Sequence, residues 1–457
     1  MFQQNFIDRA AELKLLEEEF KAKASLIVIY GRRRVGKTEL VNKFISNKPN
    51  IYFLADERSD MGNLKEMQGI MADYINEPLF SKAAITSWTE LFDEFMQRVK
   101  GKTVIVIDEF PYLIRGNKAI PSIFQKIWDL NLAKKEIFLV ILGSSISMME
   151  KHALDYKSPL YGRRTAQLKI LPLKFRHLKE FFPKKEMQEL IKIYAVTDGI
   201  PLYIRKLDAE LSFMDNLRQN VFHVGKFLYG EAEVLLKEEL REVAKYFNIL
   251  RAIADRRCKF NDIVLDTGLD KTLISKYLQN LLEMHIIKKE FPVTENKETR
   301  NARYIFSDNY YNFWFRFIYP YKTLIEGEKH DELLNVINSK LNIYFSFIFE
   351  KICKESLEHV KLPFIPIKLG RWWHKDKEID IIALNEQAKE IMFVECKWKD
   401  NINAEKILAE LKEKSKFVQW QNEKRKEHYC IMAKSFKKKL DKKECLCFDL
   451  KDLERML

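Results

Sequence analysis

Residues 31–38 read GRRRVGKT and lie between the apolar run SLIVIY (25–30) and a stretch with helical spacing, 38–46. A G-x-x-x-x-G-K-[ST] pattern that leaves a buried strand and opens a helix is a phosphate cradle. Gly31 and Gly36 let the backbone wrap its N–H groups around a phosphate. Lys37 brings a point charge to the β- and γ-phosphates, and the Thr38 hydroxyl is suited to Mg²⁺. Arg34 and Glu39, inside and just after the loop, complete the candidate ATP-binding stretch. The expected cofactors are therefore ATP and Mg²⁺.

Three further apolar runs follow: NIYFLA (50–55), TVIVIDE (103–109) and EIFLVILGSS (136–145), with helical patterns such as 87–99 between them. Continuous β-branched runs of this kind suit a parallel sheet covered by helices on both faces. The expected class is α/β, of doubly wound type. VIVIDEF (104–110) puts Asp108 at a strand end, where a carboxylate can hold Mg²⁺, and Glu109 beside it as a candidate base for a water. ILGSSIS (141–147) ends the next strand in small polar residues, so Ser144 is a candidate contact for the γ-phosphate or the lytic water.

From about residue 173 the pattern turns helical, over 175–182, 185–197 and 202–213. A third unit begins near 239. Helices over 244–254, 260–267 and 271–284, then strands IIKKEFPV (286–293) and RYIFSD (303–308), give the order of a winged helix-turn-helix. Lys271, Lys276, Tyr277 and Gln279 fall on its recognition helix, and Arg300 and Arg303 on its wing, where such residues reach DNA. The aromatic stretch 309–324 leads to a mixed α/β unit. The expected domains are 1–172 (P-loop core), 173–238 (helical lid), 239–310 (winged helix), 311–340 (connector) and 341–457 (C-terminal α/β unit).

Composition narrows the setting. The 457 residues are 47% hydrophobic, enough for real cores, and the formal net charge is +13, which favours polyanion partners. Six scattered cysteines suit a reduced compartment, not a disulfide scaffold. The N-terminal segment is acidic and amphipathic, unlike a signal peptide, and no apolar run reaches membrane-spanning length. The expectation is a cytoplasmic protein with no membrane partner.

These motifs together resemble the AAA+-like, STAND-type ATPases, in particular an archaeal-type ATPase family also found in bacteria. FIDRAAELKLL (6–16) looks like that family's F-x-x-R-x-x-E-L entry segment, which the resemblance places beside the adenine. LYGRRTAQLKILPL (160–173) looks like its arginine-bearing segment. The resemblance makes Arg163 or Arg164 the residue that senses the γ-phosphate, in the same subunit or a neighbouring one, so a homo-oligomer is among the expectations. TDGIPLYI (197–204) is similar to the family's G-x-P turn, with Gly199 and Pro201 near the nucleotide.

The C-terminal stretch EIDIIALNEQAKEIMFVECKW (378–398) reads as two strands around a polar turn. Residues i and i+2 share a strand face, so Glu395 and Lys397 point one way. If 378–384 pairs with 391–398, Asp380 lies beside Glu395. Two adjacent carboxylates call for a cation, and a hard divalent ion fits oxygen ligands. Asp380 and Glu395 are thus candidate metal ligands, and Lys397 a candidate for orienting a water. The pattern resembles PD-(D/E)xK nucleases. GRWWHKDKEIDIIA (370–383) with FVECKW (393–398) is similar to the C-terminal nuclease-like domain of the same ATPase family, with Ile379 where the broad nuclease pattern has proline. That resemblance adds Glu350, on the helix over 344–357, as a further catalytic acid.

The resulting expectation is a P-loop ATPase coupled to a Mg²⁺-dependent nuclease-like domain that binds or cuts DNA. Its alternatives are a STAND-type ATP/ADP switch and a DNA-binding regulator, each with a C-terminal domain that does not cleave.

Overall fold

The computed structural model describes residues 6–295, 299 and 301–456. Arg300 of the wing lies outside the described residues. The chain forms two compact units, one of Met1–Leu173 with Ile200–Leu202, the other of Lys174–Gly199 with Tyr203–Leu457.

The first unit is built on β1 (Ser25–Tyr30), β2 (Asn50–Leu54), β3 (Thr103–Asp108), β4 (Ile137–Gly143) and β5 (Ala166–Lys169), all parallel, in the order β2-β3-β4-β1-β5. β1, β3 and β4 are buried along their whole length. Alternate side chains feed two cores. Leu26 and Val28 join Phe53, Trp88 and Phe124 on one face, and Ile27 and Ile29 join Val41, Phe44 and Phe138 on the other. This explains the unbroken apolar runs. β4 lies between β1 and β3, and Tyr30 is in register with Gly143. The loops after these three strands therefore emerge at one sheet edge, carrying GRRRVGKT, Asp108–Glu109 and Ser144.

The second unit begins with helices. The expected helix over 202–213 is a finding against the sequence. Pro201–Ile204 forms one short helix, and the next starts at Phe213. Buried Asn216 explains the break, because its amide donates to Asp208 O (2.8 Å) and Ser212 O (3.2 Å) and its oxygen accepts from Asp208 N (2.7 Å). These bonds replace helical ones.

The winged-helix elements follow as Val243–Ala254, Phe260–Thr267 and Lys271–Glu283, with β6 (Ile287–Glu290) antiparallel to β7 (Arg303–Phe306). Gly268 takes the left-handed conformation (φ 64°) that ends the second helix, and Asp270 caps the third. The aromatic stretch that follows is helical, and a 27-residue helix, His330–Ser356, then runs into the C-terminal unit.

That unit is a mixed sheet of β8 (Lys368–His374), β9 (Lys377–Asn385), β10 (Glu390–Lys397), β12 (Lys426–Ala433) and β14 (Leu446–Phe448), ordered β14-β12-β10-β9-β8. Two short strands, β11 (Ile402–Asn403) and β13 (Phe436–Lys438), pair separately. The helix after β10 is Ala404–Ser415. Arg425 takes the carbonyls that follow it, Ser415 O (3.1 Å) and Val418 O (2.6 Å).

Candidate functional site

The nucleotide loop is set by close backbone packing. A Cβ on Gly31 would stand 2.3 Å from Ile170 O, so only glycine fits beside the strand end. Gly36 (φ 94°) and Arg34 (φ 72°) take left-handed backbone and turn the chain into the helix Lys37–Ile45. The Lys37 ammonium is buried and donates to Gly31 O (2.9 Å) and Arg32 O (3.0 Å). Burial lowers its pKa to about 8, with Glu109 and Asp108 opposing the shift.

Asp108, nearly fully buried, accepts from the Thr38 hydroxyl (3.0 Å) and from the Tyr52 hydroxyl on one oxygen, and from Glu109 N (2.8 Å) on the other. Glu109 has left-handed backbone (φ 52°), and its two carboxylate oxygens lie 2.6 and 2.8 Å from Ser144 Oγ. Glu39 sits in the first turn of the helix. Thr38, Asp108, Glu109, Ser144 and Lys37 are thus brought together. Two other candidates stand elsewhere. Arg163 pairs with Asp129 (3.0 Å) on the helix Ile120–Leu130, and Pro201 opens the short helix already described. Arg164 donates to Leu154 O (3.1 Å).

Tyr52 escaped sequence reading, and the bracing role of Arg9, the arginine of the F-x-x-R-x-x-E-L segment, was not foreseen. Tyr52 looks like any strand aromatic. Arg9, from the entry segment, is buried and donates to Val35 O (3.3 Å) inside the loop and to Leu171 O (2.5 Å) beyond β5. It braces the loop against the chain that packs on Gly31. Its left-handed backbone (φ 72°), unusual for arginine, has no sequence signal.

The glycine cradle, the buried ammonium and the Thr38–Asp108 pair fit a nucleoside triphosphate with a divalent ion. A loop that holds its own lysine on its own carbonyls has that charge ready for a phosphate.

In the C-terminal unit, β9 and β10 pair antiparallel from Glu390↔Asn385 to Val394↔Ile381. Continuing that register sets Asp380 beside Glu395. The pairing of β8 with β9 shifts between Gly370↔Ile382 and Trp372↔Ile379, a bulge at Asp380 and Ile381. Bulges re-aim side chains. Asp380 accepts from Cys396 N (2.8 Å). Lys397 Nζ lies 2.6 Å from Glu395 Oε1, and Lys414 of the following helix donates to both Glu395 oxygens (2.8 and 3.0 Å). Arg371 Nη2 donates to Glu350.

Burial first, and Asp380 second, raise the Glu350 pKa against the pull of Arg371. Burial and Glu395 raise that of Asp380, against the Cys396 N–H and Lys397. The four acid and lysine candidates are therefore electrostatic neighbours. Their charge is met by the chain's own cations, however. Among the described residues, no group of three or more His, Cys, Asp or Glu is placed to hold a metal ion. As they stand, these side chains are paired with Arg371, Lys397 and Lys414. Arg371 and Lys414 were not foreseen. One sits unmarked inside the G-R-W-W segment and the other in a lysine-rich helix.

Carboxyls whose pKa is raised on folding stabilise the fold at low pH, and that stability is lost as pH rises through the folded value. Asp380→Asn removes this loss. Its thermal midpoint at pH 8 is expected to exceed wild type by about 2 °C or more, with the gap closing near pH 4, in unfolding scans across pH.

A family model described as an ATPase domain predominantly from Archaea matches residues 6–207, and one for archaeal and bacterial proteins of unknown function matches 314–408. An uncharacterized protein of Methanocaldococcus jannaschii is 41% identical over 454 residues, 98% of this chain and 99% of its own. The chain belongs to this archaeal ATPase family. An uncharacterized ATP-binding protein of the same organism shares 54% identity over 44 residues, 9% of this chain and 75% of that protein. The Walker-type ATPase of Pyrococcus abyssi aligns with a TM-score of 0.52 and 22% identity, covering 69% of this chain and 97% of its own, a likeness of fold. No helix among the described residues is long and apolar enough to cross a membrane.

Proposed function

We propose that this ATPase hydrolyses ATP at GRRRVGKT and uses the nucleotide cycle to govern a C-terminal nuclease-like domain that engages DNA. For the ATPase half, the supporting observation is the convergence of Lys37, Thr38, Asp108 and Glu109 at one sheet edge. Lys37 leaves Gly31 O and Arg32 O for the β- and γ-phosphates, which offer a stronger acceptor. Thr38 and Asp108 hold the divalent ion, which when bound neutralises phosphate charge. Glu109 orients the attacking water and takes its proton. The Ser144 hydroxyl keeps Glu109 turned to one side until a nucleotide is seated. Arg163, freed from Asp129, or Arg164 is assigned to sensing the γ-phosphate, from the same or a neighbouring subunit, and Pro201 to a place near the nucleotide.

The low pKa of Lys37 has a measurable consequence. Only the ammonium form binds phosphate well, so ATP affinity is constant below pH 7 and weakens about tenfold per pH unit above about pH 8. Equilibrium binding of a fluorescent ATP analogue from pH 6.5 to 9.5 reads this directly. An affinity flat to pH 9.5 removes the assignment of the buried ammonium.

For the C-terminal half, the bulge that aims Asp380 at Glu395 and Lys397 carries the nuclease-like reading. Exposed Lys271 and Lys276 on the recognition helix support a DNA partner, while Tyr277 is buried and donates to Glu242 (2.6 Å). The pure protein is incubated with single- and double-stranded DNA, with Mg²⁺ or Mn²⁺, with and without ATP, beside Asp380→Ala. Cutting that disappears in the variant supports a nuclease. DNA that stays intact, with tightly held ADP, supports a second reading, the STAND-type switch. The pairing of Glu395 with two lysines and of Glu350 with Arg371 favours that reading.

A further inference from the structure

The wing of the winged helix, expected at DNA, is occupied inside its own unit. Val293, just after β6, donates its N–H to Arg371 O (2.8 Å) and so adds to the edge of β8. A Cβ on Gly370 would stand 3.1 Å from Val293 Cβ, so the glycine is what allows the close approach. On β7, Arg303 Nη1 lies 3.1 Å from Glu378 Oε1, and its guanidinium covers the Trp373 ring at 4.2 Å. Arg371 Nη2 reaches the same Glu378 oxygen (3.3 Å) and also holds Glu350. One oxygen of Glu378 is thus shared by two arginines, one from the wing and one that holds an acid of the candidate site.

That sharing makes the wing and the acid cluster interdependent. While Arg303 stays on Glu378, that carboxylate has less pull on Arg371, and Arg371 stays on Glu350. If Arg303 leaves, Glu378 draws Arg371 toward itself and the hold on Glu350 loosens. A guanidinium binds a phosphate diester in the same planar, two-point fashion as it binds a carboxylate. A nucleic-acid backbone is therefore the natural competitor for Arg303.

We propose that Arg303 exchanges Glu378 for a nucleic-acid phosphate, and that this exchange releases the wing from β8 and the Arg371 clamp from Glu350. This inference rests on the DNA reading above. Arg303 is a positioning residue in this scheme, acting on Glu350 through Glu378 and Arg371. The docked wing is the resting arrangement, with the acid cluster internally neutralised.

The test uses the full chain and a fluorescent DNA duplex, with affinity measured by anisotropy across a salt series. Glu378→Gln removes the internal competitor and is expected to bind about threefold tighter than wild type or better, the size of a partly exposed ion pair. Arg303→Gln is expected to bind more weakly, with a salt slope lower by about 0.9, one phosphate contact. The double variant should match Arg303→Gln. As a second readout, DNA should speed hydrogen exchange at the Val293 amide in wild type and leave it unchanged in Arg303→Gln.

Wild type and Glu378→Gln binding equally, or Arg303→Gln keeping the wild-type slope, would overturn the exchange while leaving the DNA reading in place. Unchanged Val293 exchange in DNA-bound wild type overturns the release of the wing. Absence of DNA binding by every variant removes both the exchange and the DNA reading.

Discussion

Lys37→Ala is expected to lower kcat/KM for ATP by at least about a hundredfold, the usual cost of deleting one preorganised charge at a phosphoryl-transfer centre. Lys37 bonds the loop carbonyls Gly31 O and Arg32 O. Its removal should leave the fold nearly intact, with a thermal midpoint close to wild type, while phosphate release falls away. The low pKa sharpens this. A buried amine costs stability in its charged form, so alanine removes a mild strain as well as the function. Wild-type hydrolysis in the variant would refute the site. Glu109→Gln separates binding from chemistry, because it should hold ATP normally and fail to turn it over.

Gly31→Ala carries the largest expected effect on stability. Its Cβ would enter to 2.3 Å from Ile170 O, a backbone atom, and Ile170 cannot retreat cheaply because its N–H is bonded to Tyr30 O (2.8 Å). Ile170 is itself buried in the core beside β1. Either the β1–β5 edge opens or the loop shifts. A cost of about 3 kcal/mol, at the top of the usual range for overpacking, is expected. Thermal unfolding of the first unit should fall by roughly 6–12 °C, and nucleotide affinity with it. A midpoint within about 1 °C of wild type would show that the close approach is not a fixed feature of the loop.

The two sites differ in how far the sequence reaches them. The nucleotide loop lies within eight consecutive residues, and its chemistry follows from glycine conformation, one lysine and one hydroxyl. The hairpin register was also legible, since strand alternation fixes which residues share a face, and Val394↔Ile381 continues to Asp380 beside Glu395. The state of that acid pair was not legible. Spacing suggests a metal between carboxylates. The fold brings Lys414 from a later helix and Arg371 from a neighbouring strand, and side chains that far apart in the chain leave no periodic signal.

By itself, the sequence determined β1 to β4, the phosphate loop, the winged-helix order and the paired carboxylates, because each depends on backbone preference or periodicity within a short window, whereas the half-exposed β5 carried no such run. Only the tertiary structure decided that β4 enters between β1 and β3, and so brings Ser144 onto Glu109. It also decided that Arg9 and Tyr52 brace the loop and Asp108, and that Arg303 of the wing turns inward to Glu378. These are choices of partner among many charges of suitable sign. Which charge meets which is fixed by the packing of distant elements and the cost of burying a charge alone, and neither is written in local spacing.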